Sequence, residues 1–296
     1  SFMTIRNLEI FTKVADLESM SAAAKELYIT QPSVSLAIAE IEKEYGVRLF
    51  DRVGNHLHLT PTGQQLYLYT SSILHQYKEM ELFLKDESHN AKIRIGATAT
   101  IGHCLIAPLI RHLKNTMPDI KYEITVASTG IIEERLLKSE LDIGLVEGEI
   151  FSDALEKTPV LNDTLNVICS SQHPFYGKKS ISMKDLENEV FILREHSSGT
   201  RMKVEEVLKE HNISYQTQWN CYSFESIKEA ILHNLGITIM SPRVISRELI
   251  DGSLWACMID DVDLSRSFNL IYRKNKFLSE PMQQFIGVCT KLESAK

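Results

Sequence analysis

The 296-residue chain has no run of about eighteen apolar residues, so no membrane-spanning helix is expected. Cysteine is sparse. The five thiols, Cys104, Cys169, Cys221, Cys257 and Cys289, are odd in number, far apart and without a CxxC pair. That excludes a disulfide framework and a zinc cluster, and it suits a reducing compartment. Basic charge is not in excess either. The net charge is −7, so any contact with a polyanion must come from a local surface. No GxSxG elbow, Walker loop, HExxH or GxGxxG occurs, so no catalytic residue, metal or cofactor is expected and the chain does not read as an enzyme. The start, SFMTIRNLEIF, lacks a basic segment followed by an apolar one, which predicts no signal peptide and a cytoplasmic location. What remains is an ordinary globular composition, 44% hydrophobic and 24% charged, in a chain long enough for two or three domains.

The first sixty residues carry a pattern. Ile5, Leu8, Phe11, Val14 and Ala15 fall on one face of a helix. Ser19 or Ser21 can cap a second helix that runs to Leu27, and Tyr28–Thr30 form a turn. Thr30 is the expected cap of a third helix, with Pro32 in its first turn and Gly46 as its stop. Val34, Ile38, Ile41 and Tyr45 make that helix's buried face. Ala23 and Ala24 let helices two and three lie close. Thr30, Gln31, Pro32, Ser33 and Ser35, with Ser21 nearby, are then left outward, as on a recognition helix in a major groove. A plain three-helix core with a polar outer face is the alternative. The following VRLFDRVGNHLHLTPTGQQL predicts two strands around a Gly54-Asn55 turn, then a helix starting at Thr60-Pro61, which makes a winged helix. Arg52 and His56 would lie on its wing.

Ser19, Ala23, Ala24, Leu27, Gln31, Pro32, Val34, Ser35, Ile38, Glu42, Gly46, Leu49, Phe50, Arg52, Leu59, Thr60 and Gly63 together resemble the N-terminal signature of LysR-type transcriptional regulators. The resemblance implies a homodimer or homotetramer on a near-palindromic double-stranded operator, with RNA polymerase as a further partner. There are departures. The family often has basic residues where this chain has Ala22, Leu36, Asn55, His56 and His58. Residues 3–60 hold six Lys/Arg against eight Asp/Glu, a net of −2. Cation–phosphate contacts supply most non-specific affinity, so weak non-specific binding is expected.

From Pro61 onward, Leu66, Thr70, Ile73, Tyr77, Met80 and Leu84 repeat at 4-3-4-3-4, a seam that predicts a linker helix over 61–87 pairing with a second chain. The polar DESHNAK (86–92) marks the domain boundary. Beyond it, KIRIGAT, IGHCLIAPLIRHLKNTM, IKYEITVAS, GIIEERLLKSE and LDIGLVEG read as β-α-β-α-β, a parallel, doubly covered sheet. A second such run follows, and SRSFNLIYRK returns the chain to a last helix. Two Rossmann-like lobes in series predict an α/β sensor of periplasmic-binding-protein type over 92–296. Lobe I takes 92–162 and 268–296, lobe II takes 163–267, and crossovers fall near 160–165 and 264–268.

Ligands of such sheets sit at the carboxyl ends of strands. Candidate effector residues are therefore Thr98, Thr100, Ser128, Thr129 and Glu147 in lobe I, and Ser197, Ser198, Gly199, Thr200 and Arg201 in lobe II. The four donors of SSGT at a helix start favour an anion, with Arg201 to match its charge. For Ser128 and Thr129, helix capping stays open as an equal reading. The SGTR loop resembles that of LysR-type regulators linked to sulfur and cysteine metabolism, which implies sulfite, sulfate or an acetylated serine. Glu147 and Glu195 would instead welcome the amine of an amino-acid derivative, unless paired with Arg194 or Arg201. The loop 194–203 has no cysteine for a peroxide switch, and Cys169 and Cys221 read as core thiols. A solute-binding protein without DNA-binding function is the alternative from another class. It would have no use for residues 3–60 or the seam helix.

Overall fold

The computed structural model describes residues 3–53, 56–84 and 92–292, the side chains at 53, 56, 82 and 83 excepted. The Gly54-Asn55 turn and most of the 86–92 boundary segment lie outside the described residues. The chain divides into two compact units. One is Ser1–Ala91 with Leu137–Glu140 and Asn275–Phe277, and the other is the remainder.

The first unit opens with helices α1 (Ile5–Leu17), α2 (Met20–Glu26) and α3 (Gln31–Tyr45), followed by strands β1 (Phe50–Val53) and β2 (His56–Leu59) and the long helix α4 (Pro61–Leu84). Ser19, not Ser21, caps α2, accepting from the Ala22 amide. Thr30 caps α3 through the Ser33 amide. Gly46 ends α3 at φ +63°, a left-handed position where a Cβ is unfavourable. Phe11, Val14, Ala23, Val34, Ile38 and Leu49 are the fully packed centre. Tyr45 departs from the expected face, with 54% of its surface exposed, because the helix's last turn runs past that core.

The wing is locked at both ends. Glu42 Oε1 accepts the Leu49 amide at 2.7 Å. Thr60 Oγ1 donates to the Arg48 carbonyl at 2.6 Å and accepts the Gly63 amide, so it joins the hairpin to the start of α4. Gly63 must be glycine, since a Cβ there would lie 2.2 Å from the Leu49 carbonyl oxygen. The predicted seam on α4 divides. Leu66 packs on the winged-helix core, and Thr70 is buried, accepting from the Thr12 hydroxyl at 2.9 Å. Ile73, Met80 and Leu84 remain exposed, joined by Tyr69. The apolar outer stripe is thus shifted, because the helix's N-terminal half first serves its own chain.

The second unit runs β3 (Lys92–Ala97), α5 (Ala99–Cys104), α6 (Ile106–Thr116), β4 (Lys121–Val126), α7 (Thr129–Leu137), β5 (Ile143–Glu147) and β6 (Leu155–Thr164). Then come β7 (Asn166–Ser170), β8 (Ser180–Ile181), β9 (Val190–Arg194), α8 (Gly199–Glu210), β10 (Gln216–Cys221), α9 (Phe224–Leu232) and β11 (Thr238–Met240). It closes with α10 (Ser246–Asp251), β12 (Leu254–Ile259), β13 (Ser265–Arg273) and α11 (Glu280–Cys289). The stretch expected as one helix over 101–117 breaks into α5 and α6 at Leu105.

Two sheets form. The first has the order β4-β3-β5-β13-β6, with β3, β4 and β5 parallel and β13 antiparallel to both its neighbours. The second has β11-β7-β12-β8, with β7 antiparallel to β11 and β12, and the parallel pair β9-β10 joined to it by a bridge from Phe191 to Ile237. The sheets are therefore mixed rather than parallel throughout. The antiparallel members are the crossover strand β13 and the short returns of lobe II. Strands β6 and β13 pair along nearly their whole length, and they carry the chain between lobes at Thr164 and Ser265. The first core gathers around Ile95, Leu113, Leu145, Phe268 and Phe285. The second gathers around Val167, Phe191, Leu208 and Ile237, with a satellite at Ile192, Ile227 and Ile245.

Candidate nucleic-acid interface and effector site

The outward face of α3 is built by its own first turn. Thr30, Gln31, Pro32 and Ser33 are exposed and Ser35 is half-buried. Thr30 Oγ1 and Ser33 Oγ share a hydrogen bond of 2.8 Å. Gln31 Nε2 donates to Ser35 Oγ at 2.8 Å, and Ser35 Oγ donates to Met20 Sδ on α2. These bonds hold the polar side chains in place before any ligand arrives. Ser21 is exposed on α2 and Arg52 on β1. His56 opens β2, and its side chain lies outside the description.

In the second unit the strand ends converge on one guanidinium, that of Arg266 on β13. Its Nη1 donates to Thr200 Oγ1 at 2.9 Å, at the start of α8 in lobe II. Its Nη2 donates to Thr100 Oγ1 at 3.4 Å, in α5 of lobe I. Its Nε donates to Asp163 Oδ2 on β6 at 2.8 Å, and Glu147 Oε1 stands 4.0 Å from Nη1. Asp163 is buried and accepts the Ser241 hydroxyl at 2.7 Å, with Arg243 Nε at 3.6 Å. Glu147 accepts the Thr98 hydroxyl and donates its amide to the same oxygen. Thr129 Oγ1 donates to the Glu147 carbonyl at 2.8 Å. The buried acids thus already have partners. The Thr100 and Thr200 hydroxyls accept from a cation and keep their own protons to donate.

Ser198 caps α8 by accepting the Arg201 amide, and Gly199 is half-buried beside it. Ser197 and His196 face solvent. Ser128 is half-buried, and its carbonyl accepts the Ile132 amide at the start of α7. Arg201 is buried inside lobe II, where it donates to the Arg194 carbonyl, Asn220 Oδ1 and Glu205 Oε1 at 2.7 to 3.0 Å. Its charge is spent on its own lobe, and the cation at the lobe junction is Arg266. Glu195 is held by both nitrogens of a fork from Arg194. Arg194 also lies over the Phe224 ring, 4.4 Å from its centroid, and His103 of lobe I meets that ring at 5.4 Å. Sequence reasoning missed Arg266, Asp163, Ser241 and Arg243. The available signal was a charged residue on each predicted crossover.

The thiols are quiet. Burial pushes Cys104 up to about 11, opposed by Arg243 and reinforced by Asp163 and Glu147. Burial pushes Cys169 and Cys289 up to about 12 and Cys257 up to about 11, and it raises Cys221. Among the described residues no helix is long and apolar enough to cross a membrane.

A winged helix followed by a two-lobed α/β clamp defines a DNA-binding regulator with an effector domain. Residues 5–64 match the bacterial regulatory helix-turn-helix model of the lysR family, and residues 86–293 match the LysR substrate binding domain. The chain belongs to the LysR family of transcriptional regulators. It is 31% identical to the transcriptional regulator CysL of Bacillus subtilis, over 90% of this chain and 89% of that one. Its fold matches a full-length OxyR variant of Pseudomonas aeruginosa with a TM-score of 0.71 and 22% identity, covering 99% of this chain and 95% of that one. The regulatory domain of Synechocystis CcmR, solved in complex with 2-PG, matches at a TM-score of 0.65 and 26% identity, over 70% of this chain and 99% of that one.

Proposed function

We propose that this regulator works in the cytoplasm as a homodimer or homotetramer, performs no catalysis, and senses a small oxyanion held between Thr100 and Thr200. The observation that carries the effector reading is the convergence of those two hydroxyls, one from each lobe, on Arg266. Each is left with a proton to donate, and α8 adds the positive end of its first turn. An anion accepting from both lobes favours one relative arrangement of them. It shifts that equilibrium only by its differential affinity for the two states. Thr98, Ser128, Thr129 and Glu147 line the lobe I side, and Ser198 and Gly199 the lobe II side. Buried Glu147, already holding the Thr98 hydroxyl and 4.0 Å from the Arg266 guanidinium, disfavours the ammonium of an amino-acid derivative and supports the oxyanion.

On the DNA side, α3 enters the major groove of a near-palindromic operator. Ser21, Thr30, Gln31, Pro32, Ser33 and Ser35 touch bases or phosphates, and Arg52 and His56 contact the flanking backbone. Residues 3–60 bind DNA, 61–87 pair two chains through Ile73, Met80 and Leu84, and 92–296 sense the effector. RNA polymerase is a further partner of the assembled regulator. The test is a thermal-shift screen of sulfate, sulfite, small carboxylates, O-acetyl amino acids and 2-PG. A ligand at a hundred times its Kd stabilises by about 2.7 kcal/mol. The expected hit is an oxyanion whose shift disappears in Thr100→Val/Thr200→Val. A shift that survives in that variant would place the site elsewhere.

A further inference from the structure

The recognition helix carries one large apolar side chain on its outward face. Leu36 is 60% exposed, although its neighbours Val34, Ala37 and Ile38 are buried. It lies three residues after Ser33, four after Pro32 and three before Ala39, all of them exposed. One face of α3 therefore presents Pro32, Leu36 and Ala39 as an apolar lane. The Thr30–Ser33 and Gln31–Ser35 hydrogen bonds border it at the N-terminal end. No Lys or Arg stands on α3 before Lys43. The lane lies on the second helix of a helix-turn-helix, within residues 5–64 that match the lysR-family model, and that is the helix such a motif lays in a major groove, so its occupant is a major groove. The groove offers a large apolar group at one base only, the 5-methyl of thymine.

We infer that Leu36 is a specificity-determining residue that reads thymine by packing its side chain against the 5-methyl group in each operator half-site. Exposed leucine is common on protein surfaces and costs little there. On α3 it acquires a role, because burying a methyl against it contributes affinity that no cytosine, adenine or guanine supplies at that position. Pro32 and Ala39 flank the contact and exclude water from it. Gln31 and Ser33 supply the directional hydrogen bonds to neighbouring bases. The operator should then carry a fixed thymine in each half, at a position where hydrogen bonding alone would tolerate cytosine poorly but uracil fully.

This inference rests on α3 entering the groove, and the experiment separates the two. The full-length chain first selects duplexes from a randomised pool. Each thymine of the selected site is then replaced by deoxyuridine, which removes the methyl and nothing else. The wild type should lose about fourfold in affinity at one thymine per half-site, the worth of one buried methyl. Leu36→Ala should bind the thymine and uracil duplexes equally, and so should Leu36→Gln, which keeps the helix and the exposure. A selected site without a fixed thymine in its halves would overturn the inference. So would a wild type indifferent to every uracil, or a uracil penalty that persists in both variants. Gln31→Ala and Ser33→Ala report on the groove itself. If they leave affinity for the selected duplex unchanged, α3 is not the reading helix, whatever Leu36 does.

Discussion

Arg266 holds four groups from three parts of the second unit: Asp163 on the other crossover strand, Thr100 and the nearby Glu147 in lobe I, and Thr200 in lobe II. Asp163 has almost no solvent access, so removing the guanidinium leaves a buried carboxylate with Ser241 and a more distant Arg243. Breaking a buried pair at one partner costs about 3 kcal/mol, much of it the stranded charge. Arg266→Gln should therefore lower the melting temperature, and Asp163→Asn added to it should recover part of the loss. A double variant no better than the single would mean that the two side chains are not coupled. Neither variant should respond to the oxyanion hit. The thiols make a second residue-scale prediction. With Cys104 and Cys257 up to about 11 and Cys169 and Cys289 up to about 12, almost no thiolate exists at pH 8. The thiolate is the reactive form. Ellman's reagent should thus label the native chain slowly at pH 8 and all five cysteines once it is unfolded. Stability should fall as pH rises past the ordinary thiol range toward these raised values, because the unfolded chain loses its thiol protons first. A fast native phase at pH 8 would contradict the buried thiols.

Helix α3 shows how an element can be set by its ends. Thr30 satisfies a first-turn amide, Pro32 takes a place that needs no donor, and Gly46 adopts φ +63° with open space around its missing Cβ. Gly46→Ala should cost about 1 kcal/mol through backbone strain alone, seen as a lower melting temperature of the winged-helix unit with unchanged spectroscopic helix content. Helix α4 shows the opposite. Its period was legible, but its partners were not. Leu66 and Thr70 belong to their own chain's core, whereas Ile73 and Met80 keep 45% and 47% of their surface exposed. If those two form the pairing seam, Ile73→Asp with Met80→Asp yields monomers by sedimentation. Intact dimers would put the interface on another element.

At the scale of the whole molecule, charge decides how DNA is found. The net charge is −7, so approach to a polyanion is not driven by the overall field. Within residues 3–60, Arg6, Lys13 and Arg48 each have an acid of the same domain within 4 Å: Glu9, Glu26 and Asp51. That leaves Lys25, Lys43 and Arg52, all exposed, as the cations this prediction offers to phosphates. Two chains then displace about six counterions, and the log–log salt slope should be no steeper than about −5. A slope near −10 in titrations of operator DNA would show phosphate contacts beyond this set. If the slope is that shallow, the burden of affinity falls on base contacts, for which the polar turn of α3 is the proposed source.

The sequence by itself determined the elements that depend on neighbours within a few residues. The caps at Ser19 and Thr30, the stop at Gly46, the hairpin, and the alternation of strands and helices all follow from local hydrogen bonds and period. The LysR-type resemblance rests on the same stretch. Only the tertiary structure brought Arg266 to the proposed effector site. Arg266 meets Thr200, Asp163 and Thr100 across 66, 103 and 166 positions of chain, so their meeting depends on sheet register and not on any local pattern. The same reason tied the Arg201 guanidinium to its own lobe. Its position at a helix start pointed to an anion, but the packing of β9, β10 and α8 had already placed three acceptors around it.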